Sequence, residues 1–260
     1  MKFIDKNERH FLEIVKKIIN HPNINVNFMD KDNFSALMFI SLLYRSWSLE
    51  IVKLLLNHPN IDVNLQDKYG CTALMKTGFK AVNLLLSHPN ININLQDKSG
   101  QTALMHAINN PNSRRSILDF TKVELLLSHP NINVNLQDKF GQTALMLTSN
   151  YLIFYKGLNY TNINLLLNYP NIDIFVKNNE NNNYFDLISN KCVMDQYEFL
   201  KIFYQMHKYT NLKKQFEYIV KNNVLQIDLL YEFFENVPND LLDYLISCLL
   251  YTSPSPRDGL

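Results

Sequence analysis

The chain carries five related copies of one short segment, and this self-similarity constrains its fold more than any other feature. In the second copy the segment reads NHPNIDVNLQDKYGCTALM. The copies lie at 20–38, 57–75, 87–105, 128–146 and 168–185. Four copies contain an aspartate at the same place, and Asn178 stands there in the fifth. The aspartates are Asp30, Asp67, Asp97 and Asp138. Such a repeat predicts stacked units whose apolar faces form one continuous core.

Each unit also contains two helix signals. Before every copy, apolar residues recur at positions i, i+3 and i+4, which places them on one helix face. These residues are Val15/Ile18/Ile19, Val52/Leu55/Leu56, Val82/Leu85/Leu86, Val123/Leu126/Leu127 and Ile163/Leu166/Leu167. Within the copy, a hydroxyl residue precedes the Ala-Leu-Met segment and predicts the N-cap of a second, shorter helix. The predicted N-caps are Ser35, Thr72, Thr102 and Thr143.

The order and spacing of these residues resemble the ankyrin repeat, whose pattern is D-x-x-G-x-T-P-L-H-x-A followed by V-x-x-L-L. The resemblance covers about residues 12–185 and is strongest over 49–147. It implies an all-α solenoid in which pairs of antiparallel helices stack side by side and hairpin loops project at right angles. We therefore expect about five ankyrin units in residues 1–185, the first of them partial.

The chain departs from the family pattern at several places. The family histidine is replaced by methionine, as at Met75, so we expect the hydrogen bonds of that histidine to be lost. The unit at 67–96 lacks three residues of the usual length, which predicts that its short helix ends near Gly78. Insertions around 109–120 and 149–161 lengthen the next two units, and such insertions usually map to one surface.

Both ends of the chain depart from the repeat. Residues 1–10 form either a polar cap or the end of a repeat that begins upstream. Residues 186–247 are predicted to be helical, as degenerate repeats, a cap or a small separate domain. The helix-like segments are 196–207, 212–222, 225–236 and 239–247. The stretch CLLYTSPSPRD at 248–258 matches a translated adapter of transposase-based sequencing libraries, so we expect 248–260 to be a non-native tail.

Composition excludes several classes of protein. The chain has 25 Lys and Arg against 24 Asp and Glu, and its net charge of +1 argues against a general nucleic-acid binder. No apolar run reaches the roughly 18 residues that cross a bilayer, and the charged start MKFIDKNERHF is not a signal peptide. Three cysteines without metal-ligand spacing favour a reducing, cytoplasmic setting. Glycine occurs only six times, so we expect the abundant asparagine to occupy some left-handed turn positions.

Four histidines recur once per unit, each directly before the proline of the repeat. They are His21, His58, His88 and His129. Stacked equivalents lie about 10 Å apart, too far to share a metal ion, so we expect the rings to interact with the C-terminal carbonyls of the long helices. The repeated aspartates are interpreted as turn residues rather than acid–base pairs. No motif for catalysis, a metal or a cofactor is present in the sequence, and we predict none.

Asn64, Asn94 and Asn135 end the extended segment before each hairpin. We expect their side chains to form hydrogen bonds across the turn. The ankyrin resemblance also implies that an asparaginyl hydroxylase could modify this position.

The same resemblance implies a concave surface, made of hairpin tips and short helices, that binds a partner protein. The candidate residues on it are Lys68, Tyr69, Cys71, Lys98, Ser99, Gln101, Lys139, Phe140 and Gln142. A row of lysines with two aromatic residues suits an acidic partner with an apolar anchor point. The alternative for the lysines is that they only keep the tips solvated.

We therefore predict a monomeric, non-catalytic scaffold or adaptor of the cytoplasm, which binds another protein and neither nucleic acid nor a membrane. The alternative is a fragment of a multidomain protein whose effector domain lies outside this chain, such as a ubiquitin-ligase substrate receptor or a host-interaction effector. The asparagine-rich style resembles ankyrin proteins of large DNA viruses or AT-rich protists. A viral protein of this kind would act in the host cytoplasm.

Overall fold

The computed structural model describes residues 6–43, 47–109, 117–152, 160–184 and 186–187. Within these residues the chain forms nine α-helices and no strand, which confirms the all-α prediction. Five trailing helices precede a hairpin: α1 (Lys6–Ile19), α3 (Ser48–Leu56), α5 (Phe79–Leu86), α7 (Ile117–Leu127) and α9 (Tyr160–Leu167). Four leading helices follow a hairpin: α2 (Ala36–Leu42), α4 (Ala73–Lys76), α6 (Ala103–Asn109) and α8 (Ala144–Leu152).

The helices stack in two layers within one compact unit that ends at Tyr184. Each leading helix contacts the next leading helix along the chain, from α2 through α8. Each trailing helix likewise contacts the next trailing helix, from α1 through α9. Across the layers, α2 packs on α3, α6 on α7 and α8 on α9. We call the surface formed by the leading helices and the hairpins before them the inner face.

The leading helices begin where the hydroxyl residues predict. The side-chain oxygens of Ser35, Thr72, Thr102 and Thr143 each accept the backbone N–H three residues further on, at 3.3 Å. In the second unit Sδ of Met75 also accepts the N–H of Thr72 at 3.4 Å, which completes a reciprocal capping box. The methionine that replaces the family histidine thus accepts a hydrogen bond from the N-cap residue of this helix.

The trailing helices bury most of the residues that the apolar pattern indicates. The fully or almost fully buried ones are Val52, Leu55, Val82, Leu85, Val123, Leu126, Ile163, Leu166 and Leu167. The first helix is an exception, because Ile18 is 51% exposed and Leu12 is buried instead. Among the described residues no leading helix precedes α1, so nothing in its own unit covers this face.

A left-handed residue turns each hairpin. Gly100 has φ +78°, and a Cβ atom added there would lie 2.8 Å from the backbone nitrogen of Lys139 in the next unit. Gly70 and Gly141 have the same conformation and equally close neighbours. Asn33 and Asn181, with φ of 57° and 64°, take this place in the first and last hairpins. The expectation that asparagine substitutes for glycine is confirmed at these two positions.

The shortened unit has the short helix that its length predicts. Helix α4 has only four residues and ends at Lys76. The ammonium group of Lys122, on α7, donates to the carbonyl oxygens of Met75 at 3.2 Å and Thr77 at 2.8 Å. Lys122 is only 7% exposed. A buried lysine from the following unit therefore binds the carbonyl groups that a longer helix would have satisfied itself.

Several predictions fall on residues that the structure does not describe. They are residues 1–5, the helical segments between 196 and 247, the non-native tail 248–260 and most of the two insertions. Among the described helices, none is both long enough and apolar enough to cross a membrane.

Candidate interaction surface

The repeated aspartate closes each hairpin. Oδ1 of Asp97 accepts the N–H groups of Ser99 at 2.7 Å and of Gln101 at 2.9 Å, and the Asp97 N–H donates to the Gln101 carbonyl at 3.0 Å. The same pattern recurs at Asp30, Asp67, Asp138 and Asn178. The interpretation of these residues as turn residues is confirmed, and asparagine at Asn178 closes the hairpin equally well.

Backbone hydrogen bonds join the tips of adjacent hairpins. The N–H groups of Lys68, Lys98, Lys139 and Asn179 donate at 2.9–3.0 Å to the tip carbonyl of the unit before. The accepting carbonyls belong to Asp32, Tyr69, Ser99 and Phe140. The tips therefore form one continuous row with a fixed spacing, and their side chains project from a backbone that is already held in place.

Asparagine side chains form a second ladder between units. Nδ2 of Asn64 donates to the carbonyl of Asn90 at 2.7 Å, and its Oδ1 accepts the N–H of Asn92 at 2.8 Å. The same two bonds are made by Asn27, Asn94 and Asn135. The expectation of a bond across the turn is therefore wrong. The primary amide carries both a donor and an acceptor, so it pairs with the backbone of the following unit.

Glutamine side chains form a third ladder, which sequence reasoning missed. Nε2 of Gln96 donates to the carbonyls of Gly100 at 2.6 Å and of Gln137 at 2.8 Å. Gln66 and Gln137 make the equivalent pair of bonds, to their own hairpin and to the next unit. The available signal was the glutamine directly before the aspartate in the three near-identical copies.

Among the residues that the structure describes, both side-chain ladders end in the fifth unit. Phe175 stands where the preceding units have asparagine, and Lys177 stands where three of them have glutamine. The Lys177 carbonyl still accepts from Gln137, but its ammonium group lies 3.2 Å from Oδ1 of Asn181 within its own hairpin.

The repeated histidines bind the loop rather than the helix. Nδ1 of His58 accepts the N–H of Asn60 at 3.2 Å, and His21, His88 and His129 accept the equivalent N–H at 3.3 Å. The expectation that these rings bind the C-terminal carbonyls is therefore wrong. Because a backbone N–H can only donate, Nδ1 is the unprotonated, accepting nitrogen, and the bond holds the turn around the proline.

The predicted tip residues lie on an exposed row. Tyr69 is 60% exposed and Phe140 is 69% exposed, and they alternate along the row with the polar residues Asp32 and Ser99. Lys98, Ser99 and Lys139 are exposed as well. Large apolar side chains held out in this way are typical of contact sites.

Lys68 differs from the other candidate lysines because it already has a partner. Its Nζ lies 3.0 Å from Oδ1 of Asp32 and 5.0 Å from the centre of the Tyr69 ring. The hydrogen bond to Asp32 raises the pKa of Lys68. Both members of the pair are exposed, so the pair adds little to stability, but it reduces the net positive charge that this tip offers.

The three candidates that follow the tips are less accessible. Cys71 is 8% exposed, and Gln101 and Gln142 are half-buried. Burial raises the pKa of the Cys71 thiol. Its Sγ lies 4.0 Å from Oδ2 of Asp97, so Cys71 contacts the following unit and offers a partner protein little surface.

A further row on the inner face was missed by sequence reasoning. It lies nine residues after each aspartate and consists of Phe39, Lys76, His106 and Leu147. Nζ of Lys76 lies 2.8 Å from Oδ2 of Asp67, and Nε2 of His106 lies 2.8 Å from Oδ2 of Asp97. Phe39 is 58% exposed, whereas Leu147 is buried. The signal for this row was the residue after Ala-Leu-Met, which differs in every copy.

The pair of Asp67 and Lys76 is largely buried, with side chains 3% and 22% exposed. Burial acts to raise the pKa of Asp67. Hydrogen bonds from Lys76 and from the N–H groups of Cys71 and Tyr69 outweigh it, so the pKa lies below its ordinary value. Nζ of Lys76 also lies 5.3 Å from the centre of the Phe34 ring. The Asp67 carboxylate therefore remains ionised and paired with Lys76.

Comparison with known proteins agrees with this architecture. The model of the family described as ankyrin repeats (3 copies) matches residues 5–94 and 76–178. No curated protein matches the chain at a significant level.

Solved structures of ankyrin proteins share the fold at low sequence identity. EF0377, an ankyrin repeat protein, is 21% identical, with a TM-score of 0.60 over 78% of this chain and 94% of that chain. The ankyrin repeat domain of Bcl-3, of the IkappaB family, is 22% identical, with a TM-score of 0.55 over 68% and 73%. A chain of the Bd0816 predatory endopeptidase from Bdellovibrio bacteriovorus in complex with immunity protein Bd3460 is 18% identical, with a TM-score of 0.51 over 76% and 97%.

The family model spans more than half of the chain and coincides with the units that the structure shows. Hairpin, leading helix and trailing helix follow one another in the order that the resemblance implies. This chain belongs to the ankyrin-repeat family.

Proposed function

We propose that this chain is a non-catalytic scaffold of the cytoplasm that binds a partner protein through its inner face. Ankyrin repeats are generally protein–protein interaction modules. One of the similar structures is itself a complex of an endopeptidase with an immunity protein. The free thiol of Cys71 is consistent with a reducing compartment.

The observation that carries this proposal is the exposure of Tyr69 and Phe140 on the row of tips, at 60% and 69%. Their backbone is already fixed, because the Tyr69 and Phe140 carbonyls accept hydrogen bonds from the next unit. A partner that covers these rings would gain the free energy of apolar burial without ordering a loop. Aromatic residues presented in this way are the usual energetic centre of an interface.

The charges around these rings favour an acidic partner. Lys98 and Lys139 are exposed on the same row, on either side of Ser99. Lys68 contributes less, since Asp32 pairs with it at 3.0 Å. We therefore expect a partner surface with an apolar pocket for each ring and acidic groups that face Lys98 and Lys139.

The test is affinity capture with the full chain, followed by a binding measurement on each partner identified. The double variant Tyr69→Ala/Phe140→Ala should weaken that binding by about 10-fold or more. Phe28→Ala is the matched control, because Phe28 is also 69% exposed but precedes the first hairpin. Equal affinity of the double variant and the wild-type chain would overturn the proposal.

A further inference from the structure

Three side chains of metal-binding type meet where the second unit packs on the third. They are Cys71 at the end of one hairpin, Asp97 at the start of the next and His106 on α6. A ligand atom from each lies within 4.8 Å of the other two. Oδ2 of Asp97 lies 2.8 Å from Nε2 of His106 and 4.0 Å from Sγ of Cys71.

We propose that Cys71, Asp97 and His106 form a Zn²⁺ site on the inner face. A thiolate, a carboxylate and an imidazole are the sulfur, oxygen and nitrogen ligands that zinc accepts together. The Cys71 thiol releases its proton to solvent as the Zn–S bond forms. The proton that Nε2 of His106 now donates to Asp97 is exchanged through solvent for one on Nδ1, so the ring binds the ion with the Nε2 lone pair. The two negative charges of Cys71 and Asp97 then balance the charge of the ion.

The distances require only small side-chain movements. In a tetrahedral zinc site, bond lengths of about 2.0–2.3 Å place neighbouring ligand atoms about 3.3–3.6 Å apart. The Asp97–His106 distance of 2.8 Å would therefore open by about half an ångström, and the Cys71–Asp97 distance of 4.0 Å would close by a similar amount. The Cys71 and His106 ligand atoms, which lie within 4.8 Å of each other, must come to the same range, and rotation about the side-chain bonds of these two residues is the movement that the site requires.

The backbone already holds two of the ligands in position. Oδ1 of Asp97 accepts the N–H groups of Ser99 and Gln101, which fixes the carboxylate so that Oδ2 faces Cys71 and His106. The N–H of Cys71 donates to Oδ1 of Asp67 at 2.8 Å. Such outer hydrogen bonds orient ligands in known metal sites.

The other units show that this cluster is not a by-product of the repeat. At Asp67 the equivalent neighbours are Phe34 and Lys76. At Asp138 they are Gln101 and Leu147. Neither set contains a second ligand for zinc, so the three ligand types coincide at one boundary among those the structure describes.

The positive charge of Lys76, which acts on the Cys71 thiol, is compensated. Lys76 follows Cys71 by five residues, and its ammonium group lies 2.8 Å from Oδ2 of Asp67. That ion pair leaves the Asp97 carboxylate available to a cation. The His106 side chain is 30% exposed, so the ion can enter from solvent, and a water molecule completes the fourth position. The site does not depend on whether the inner face binds a partner protein.

The test is a zinc titration of the full chain by calorimetry, with Co²⁺ absorption as a report on thiolate ligation. The background carries Cys192→Ser and Cys248→Ser, which leaves Cys71 as the only one of the three cysteines. We expect one Zn²⁺ per chain and a thiolate-to-cobalt charge-transfer band. Adding Cys71→Ser should abolish the band, and Cys71→Ser or His106→Gln should each weaken zinc binding by about 100-fold or more.

Two aspartate variants form the matched control. Asparagine keeps the hairpin closed, as Asn178 shows in the fifth unit. Asp97→Asn should therefore retain the fold, checked by circular dichroism, but bind zinc at least about 10-fold more weakly. Asp138→Asn should bind zinc like the wild-type chain. Absence of zinc binding, or binding that survives Cys71→Ser and His106→Gln together, would overturn the proposal.

Discussion

The two sides of each hairpin follow different rules. On the side that faces the next unit, the three middle copies carry the same residues: an asparagine, a glutamine, an aspartate and a left-handed glycine. On the inner face, the residue after Ala-Leu-Met changes from Phe39 to Lys76 to His106 to Leu147. The constant side makes hydrogen bonds to backbone, which every unit has, whereas the variable side contacts side chains or solvent.

This difference between the constant side and the inner face indicates which residues stabilise the stack and which are free to vary for recognition. Asn64 and Gln66 bind backbone groups of the following unit, and these groups are the same whatever the side chains there. Tyr69 contacts Lys68 and Lys76 contacts Asp67, each within its own unit, so their replacement alters the surface and leaves the hydrogen-bond ladders between units intact. Changes on the constant side should therefore lower the free energy of unfolding much more than changes at the tips.

The largest effect is expected for Gly100→Val. The residue has φ +78°, and a Cβ would lie 2.8 Å from the Lys139 nitrogen, so both strain and a backbone clash result. We expect a loss of about 3 kcal/mol in the free energy of unfolding, measured by urea denaturation. Gly78→Ala is the control, because Gly78 has φ −73°, a backbone conformation that an L residue adopts without strain. Equal losses in both variants would contradict this reading of the hairpin.

Asn94→Ala comes next. It removes two bonds, to the Asn131 carbonyl at 2.7 Å and from the Asn133 N–H at 2.8 Å. We expect a loss of about 2 kcal/mol, since two backbone groups at the boundary lose their partners. Asn92→Ala is the comparison, because its Oδ1 accepts only a local bond, from Asn94 at 3.1 Å. If the two variants unfold at the same urea concentration, the ladder between units is not a main source of stability.

Lys122→Met tests a variable position that nevertheless has a structural role. Methionine keeps most of the buried stem but removes the donor to the Met75 and Thr77 carbonyls. We expect a loss of about 1–2 kcal/mol in urea denaturation. Lys53→Met should leave the curve unchanged, because Lys53 is half-exposed and pairs only with Glu50 on its own helix. An unchanged free energy of unfolding in Lys122→Met would show that the hydrogen bonds from α7 do not stabilise α4.

Lys68→Met should have the smallest effect. The bridge to Asp32 joins two exposed side chains, so we expect no measurable change in the thermal midpoint and no dependence of that result on salt. If Lys68→Met lowered the thermal midpoint as much as Asn94→Ala does, the tip residues would also stabilise the stack. The distinction between a stabilising constant side and a variable recognition side of each hairpin would then be wrong.

The sequence was sufficient for features that lie within one unit. Thr72 predicts a helix start, and Val82 and Leu85 predict a buried helix face, because the residues involved are neighbours along the chain. The exposed tips at Tyr69 and Phe140 followed from the hairpin positions in the same way.

Contacts between units could not be predicted from the spacing of residues within a single repeat. Asn64 binds a carbonyl 26 residues away, and Gln96 binds one 41 residues away. The meeting of Cys71 with His106 depends on the same stacking. The prediction for the histidines failed for another reason, because position alone does not say whether Nδ1 of His58 accepts or donates a hydrogen bond.

The end of the ladders at Phe175 and Lys177 has a consequence for assembly. Every rung pairs a side chain of one unit with the backbone of its successor, so the stack has a direction, as a polymer with unlike ends does. Units carrying Gln66, Gln96 or Gln137 offer their successor three side-chain hydrogen bonds. The fifth unit offers a benzyl and an ammonium group at those places. Phe175 and Lys177 thus act as a chain terminator for ladder growth, and an engineer who wishes to add repeats would begin with Phe175→Asn and Lys177→Gln.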